Sequence, residues 1–157
     1  MSEDLDRALG LAYRYLNRRE RTTHEVVSYL ERKDIEGALA RECAAALADQ
    51  GYLDDRRFVR LFIQDKRNLE QWGAERIRRS LLARGVEREL VEQALGEVGV
   101  GEGETELERA LGLLRRRFSS PPRERRERDR ALGVLIRKGY DPALALDALA
   151  AYGRDRA

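Results

Sequence analysis

Apolar residues recur at spacings of three and four along almost the whole chain, and no stretch alternates apolar with polar as a half-buried strand does. The pattern predicts nine helices, at about Asp4–Arg19, Thr23–Lys33, Glu36–Gln50, Asp55–Leu69, Ala74–Arg84, Glu87–Val98, Glu106–Phe118, Arg123–Lys138 and Pro142–Tyr152. Several ends carry their own stop and start chemistry. Thr22 with Glu25 three residues on has the form of a capping box, in which hydroxyl and carboxylate each take one orphan amide, and Thr105 with Glu108 repeats it. Asp141 ahead of Pro142 suits an N-cap followed by a first helical residue. Gly51, Gly85 and Gly139 fall where helices should stop in a left-handed turn.

These stops expose a repeat. Arg84-Gly85-Val86 and Lys138-Gly139-Tyr140 share one punctuation, and Lys33-Asp34-Ile35 is a degenerate first copy with Asp for Gly; the offsets are 51 residues (34 to 85) and 54 (85 to 139). Leu30, Leu81 and Leu135 each stand four residues ahead of the Asp or Gly. Apolar sets follow in the same phase: Ile35, Leu39, Cys43 and Leu47; Val86, Leu90, Ala94 and Leu95; Tyr140, Leu144, Ala148 and Leu149. The expectation is an all-α chain of three tandem three-helix, helix-turn-helix-like units, over residues 1–51, 52–101 and 102–157, in an elongated, curved array. Units of about 50 residues bury too little surface alone and must pack on neighbours. Gly96, Gly99, Gly101 and Gly103 make the last join the expected hinge.

Composition narrows the function. With 42% hydrophobic residues the chain is too apolar to be disordered, although 38% is charged. The 31 basic and 29 acidic side chains leave a net charge of +2, which gives no whole-molecule field to steer the protein to DNA. Charge is segregated locally: five Glu and no base from Glu97 to Glu108, then eight Arg against three acids from Arg115 to Arg130. Arg outnumbers Lys 28 to 3, which fits either GC-rich codon usage or guanidinium forks selected for carboxylates and phosphates.

Cys43 is the lone cysteine and sits at a core-phase position; His24 is the lone histidine, inside the first capping box. Neither has the partner that a metal site or a nucleophile–base pair needs, and the Gly96–Gly103 stretch lacks the flanks of a phosphate loop. The expectation is therefore no catalysis, no metal and no cofactor. No signal-peptide core follows Met1 and no apolar run reaches membrane length, so a cytoplasmic protein without membrane contact is expected.

Two stretches go beyond pattern. Gly51-Tyr52-Leu53-Asp54-Asp55 with Phe58, followed by Trp72-Gly73, Arg76-Ile77, Leu81 and Arg84-Gly85-Val86, resembles the RecX family, and so does the opening with Ala8, Tyr15-Leu16, Arg19, the Thr22–Glu25 cap and Leu30. The resemblance covers about residues 5 to 152; the middle unit matches most specifically, and Asp34 departs from the Gly of many members. It implies tandem three-helix repeats and a protein that is not an enzyme; a monomer is the separate expectation. It further implies a protein that binds the RecA–DNA filament and modulates, usually restrains, strand exchange, ATP hydrolysis and co-protease activity in recombination and the SOS response. Weak contact with single- or double-stranded DNA would supplement the filament contact. The alternative is a helix-turn-helix-type nucleic-acid module with no RecA-specific role, against which stand the near-zero net charge and the 6% aromatic share.

Within the motifs, Tyr52, Leu53, Phe58, Ile77 and Leu81 are expected in the core, and Gly73 and Gly85 as backbone punctuation. Asp54 and Asp55 suit a helix start, the other reading being a partner contact. The candidate contacts to an acidic recombinase surface or to phosphate are Arg76, Arg78, Arg79, Arg84, Arg115, Arg116, Arg117, Arg123 and Arg126. The opposing reading is a solvated face, with Glu75 serving the first group and Glu124 and Glu127 forming i, i+3 and i, i+4 pairs within the second.

Overall fold

In the computed structural model the described residues are 3–98 and 105–155, and they contain no strand. Their helices are α1 (Glu3–Arg18), α2 (Thr23–Arg32), α3 (Gly37–Asp49), α4 (Asp55–Asn68), α5 (Ala74–Ala83), α6 (Arg88–Val98), α7 (Glu106–Arg117), α8 (Arg125–Lys138) and α9 (Pro142–Asp155). Every boundary lies within three residues of the one the periodicity predicts. None of these helices is long and apolar enough to cross a membrane.

The ends form as their chemistry dictates. Thr22 Oγ1 accepts from Glu25 N–H at 3.1 Å while Glu25 Oε1 accepts from Thr22 N–H at 3.0 Å, completing the box at α2. At α7 the Thr105 hydroxyl accepts from Glu108 N–H at 3.1 Å. At α9 the Asp141 carboxylate accepts from Ala143 and Leu144 N–H at 3.1 and 3.3 Å. Gly85 and Gly139 close their helices at φ +80 and +98, and Asp34 takes the same left-handed region at φ +65. The missing Gly therefore changes the residue and not the turn, since a short Asp side chain tolerates this region. Gln71, at φ +60, was not foreshadowed; its carbonyl accepts from the Tyr140 hydroxyl at 3.4 Å, and the next amide, Trp72 N–H, returns to Lys66 O at 2.9 Å.

The chain divides into two compact units, one of Met1–Leu61 with Leu81–Val91, the other of Phe62–Ser80 with Glu92–Ala157. Helices α4, α5 and α6 thus contribute to both. In the first unit α1, α2 and α3 close over Ala8, Ala12, Val26, Leu30, Ile35, Cys43, Leu47 and Leu53. In the second, α7, α8 and α9 close over Ala110, Leu113, Leu114, Ala131, Leu135, Tyr140, Ala148 and Tyr152. Leu30, Leu81 and Leu135, equivalent in the sequence register, are all fully buried. Burial pushes the Cys43 thiol above its ordinary range, with Glu42 adding to the shift.

Tyr52 corrects the expected core. It is 56% exposed, with its ring edge-on to Tyr13 at 5.4 Å, because the adjacent Leu53 takes the inward place at 3% exposure. Of the four glycines of the expected hinge, Gly96 lies within α6, and Gly99, Gly101 and Gly103 lie outside the described residues, as do Glu102 and Glu104 of the acidic run.

Each unit contains one version of the same joint. In the first, the Asp55 carboxylate, at the first position of α4, accepts from Thr23 N–H, at the first position of α2, at 2.9 Å, and Thr22 Oγ1 donates to Arg84 O at 2.8 Å. In the second, Glu106, at the first position of α7, accepts from Ala74 N–H, at the first position of α5, at 2.6 Å. There Gly73 N–H and Glu75 N–H donate to Lys138 O and Gly139 O at 2.7 and 2.9 Å. A Cβ on Gly73 would stand 2.6 Å from Gly139 O and Tyr140 N, so only glycine allows this approach.

Candidate interaction surface

The motif residues divide cleanly by role. Asp54 caps α4 by accepting from Arg57 N–H at 3.0 Å, and Asp55 serves the joint to α2, so both carboxylates are engaged inside the fold. Phe58, Ile77 and Leu81 are buried at 8%, 0% and 0% exposure. Gly73 and Gly85 are close-approach positions; a Cβ on Gly85 would overlap the His24 ring.

The candidate arginines separate into neutralised and open groups. Arg78 is clamped between Glu75 and Glu92, with a second Glu92 bond at 3.2 Å from its Nη2. The hydrogen bond to Glu92, then that to Glu75, holds its pKa above the ordinary guanidinium value. Arg84 pairs with Glu25 at 3.4 Å, and Arg115 pairs with Asp155. Arg79 is exposed and, among the described residues, reaches only the Glu75 carbonyl, at 3.5 Å.

Glu75 thus partners Arg78, and the pairs expected of Glu124 and Glu127 do not form. Among the described residues no carboxylate lies within 4.0 Å of Arg116, Arg117, Arg123, Arg125, Arg126, Arg128 or Arg130. Spacing alone did not bring them together: Arg130 lies over the Phe118 ring, 5.9 Å from its centroid, and Arg115 prefers the carboxylate of α9.

Two cavities in the second unit gather the open cations. One, of about 410 Å³, has Arg123, Arg125 and Arg128 with Asp129 around an apolar floor of Leu132, Leu146 and Leu149. The other, of about 130 Å³, is lined by Arg76, Arg117, Val134, Arg137 and Lys138. Arg76 comes from the first turn of α5, Arg117 from the last turn of α7, and Arg137 and Lys138 from the last turn of α8. Cations suit both C-terminal turns, where the helix dipole is negative. Sequence reasoning missed Arg137 and Lys138: Lys138 reads only as the base of the Lys138-Gly139-Tyr140 punctuation, and Arg137 carries no motif of its own. Arg126 and Arg116 are exposed but line neither cavity.

The second unit also holds a largely buried ionic cluster. The Arg67 side chain is 6% exposed, and its Nη2 lies 3.9 Å from Glu106 Oε1, which is also 3.9 Å from Arg109 Nη1. Burial, then the neighbouring Arg109 charge, holds the Arg67 guanidinium below its ordinary value against the pull of Glu106. Burial, then the Glu106 charge, pushes the Tyr140 hydroxyl up to about 12.

Comparison with known proteins places this architecture. Residues 8–47 match the family model for the first three-helix domain of RecX, and residues 54–95 match that for the second. The chain is similar to the regulatory protein RecX of Thermus thermophilus, 34% identical over 147 residues, which covers 94% of this chain and 90% of that one. It is also similar to the RecX protein of Lactobacillus delbrueckii subsp. bulgaricus, 37% identical over 92 residues, a match spanning 59% of this chain and 34% of the relative, about a third of that protein's length. The fold matches the crystal structure of RecX from Lactobacillus salivarius with a TM-score of 0.80 at 21% identity, over 97% of this chain and 98% of that one. All-helical, built on two matched three-helix domains and alike to a regulator along almost its whole length, the chain belongs to the RecX family of regulatory proteins.

Proposed function

We propose that the chain binds a RecA–DNA filament in the cytoplasm, as a monomer without catalytic activity, and restrains the filament's strand exchange, ATP turnover and co-protease function. The likeness to the Thermus regulator over nearly all of both chains carries this reading. In it, three tandem three-helix units, 1–51, 52–101 and 102–157, engage neighbouring protomers through several modest patches at once. Linked weak contacts make such binding strong. The open arginines of the second unit offer one such patch, suited to acidic protein surface with supplementary contact to DNA phosphate.

The test is the DNA-stimulated ATPase of the cognate RecA with the chain titrated in. A fall in turnover at stoichiometric addition is the expected result. Filaments indifferent to a molar excess would overturn the proposal. The open run from Arg116 to Arg130 also favours a second reading, a helix-turn-helix-type nucleic-acid module. Tight, strongly salt-dependent binding to bare DNA with no effect on the ATPase would favour that module instead.

A further inference from the structure

The small cavity of the second unit holds four cationic side chains and no anion. Arg76, Arg117, Arg137 and Lys138 surround about 130 Å³, with Val134 as the apolar wall. No carboxylate of the described residues lies within 4.0 Å of any of the four. Like charges crowded without a counter-ion repel one another, so the arrangement gains from any anion that enters.

Two of the cations are also held in place by hydrogen bonds. Arg76 lies over the Trp72 ring, 4.2 Å from its centroid, and donates through Nη1 to Arg137 O at 3.2 Å. Lys138 donates through Nζ to Glu70 O at 2.9 Å. Each bond uses one donor, leaving four on the Arg76 guanidinium and two on the ammonium for a ligand. The Arg137 head folds back over its own helix, 3.0 Å from where a Cβ on Gly133 would stand. These bonds fix Arg76 and Lys138 before any ligand arrives, which lowers the ordering cost of binding.

We propose that this cavity is an oxyanion site that takes a backbone phosphate of DNA. Its cations converge from three helices, α5, α7 and α8, rather than from one direction. A tetrahedral phosphate presents oxygens on all sides and uses such a set; a planar carboxylate is filled by one or two forks. The volume admits several waters, and with them an ion as large as a phosphate group. The DNA half of the assignment rests on the filament reading, but its test needs no recombinase, so the two can fail separately.

Trp72 is the only tryptophan and touches Arg76, so its fluorescence reports on the cavity. The full chain is titrated with inorganic pyrophosphate, with a thymidine oligonucleotide and with polyglutamate. The first two should change the emission saturably. Arg117→Gln and Arg137→Gln should each weaken both ligands about tenfold or more. For the oligonucleotide, the slope of log affinity against log salt should flatten by about 0.7 per cation removed. Arg14→Gln, at an exposed position of α1, should match the natural chain. A response to pyrophosphate alone would overturn the DNA assignment, and a response to polyglutamate alone would overturn phosphate. Equal affinities across all variants, with unchanged helical circular dichroism, would overturn the site itself.

Discussion

Glu106 joins two structures with one side chain, so its removal should be felt far beyond α7. One carboxylate oxygen accepts from Ala74 N–H at 2.6 Å and finishes the start of α5. The other lies 3.9 Å from both Arg67 and Arg109. At 3.9 Å and an effective dielectric of about 20, each ion interaction is about 4 kcal/mol before desolvation is subtracted. Burying the Arg67 guanidinium consumes most of that, and the net worth of the cluster is small. Removing the anion is different, because it leaves a buried cation uncompensated, at a cost of about 3–5 kcal/mol. Loss of the cap adds about 1 kcal/mol. Glu106→Ala should therefore lower the stability of the second unit by about 4 kcal/mol or more, a fall in Tm of roughly 10 °C at about 2–4 °C per kcal/mol. Helical circular dichroism through a thermal melt reads it. Glu106→Gln should lose about 1 kcal/mol less, because the amide oxygen still accepts from Ala74. Adding Arg67→Met to Glu106→Gln should restore stability, since it removes the stranded charge. A loss from Glu106→Ala within about 0.5 kcal/mol of that from the exposed Glu124→Ala, or no recovery in the double variant, would refute the reasoning.

Other substitutions separate backbone strain from close contact. Gly51 and Gly139 both have positive φ, but only at Gly139 would a Cβ strike a neighbour, the Arg76 Cβ. Gly51→Ala should cost about 1–2 kcal/mol and Gly139→Ala about 1–3 kcal/mol more in urea melts. Thr22→Val deletes the hydroxyl that accepts from Glu25 N–H and donates to Arg84 O, and should cost about 2–3 kcal/mol in the same assay. Tyr140 tests the buried cluster by pH. Its folded pKa of about 12 exceeds the ordinary 10, so its contribution is whole below pH 10 and is lost as pH rises from 10 to about 12. Ultraviolet titration should show a late tyrosine step that Tyr140→Phe abolishes.

Local rules read most of this fold from the sequence. The capping residues, the left-handed glycines and the apolar register each act over a few residues, so Thr22, Asp141, Gly139 and Leu135 stand where spacing puts them. Tyr52 was misread because two adjacent apolar residues compete for one inward place, and periodicity does not rank them. The surface was harder. Arg78 and Arg76 are two residues apart, yet one is clamped by Glu92 and the other lies on Trp72. Nothing within one helix foretells a partner 14 residues away or the turn of another helix. Arg137 and Lys138 illustrate the same limit, because their shared cavity with Arg76 and Arg117 exists only once α5, α7 and α8 have met.

The paired joints bear on how the chain acquires order during synthesis. Helix α2 begins with an amide whose acceptor, Asp55, belongs to α4, and α5 begins with one whose acceptor, Glu106, belongs to α7. An emerging nascent chain therefore has its second helix incompletely terminated until the fourth has left the ribosome, and its fifth until the seventh. Order is handed backwards, each later segment consolidating an earlier one, so a chain truncated after residue 51 would leave Thr23 N–H to water.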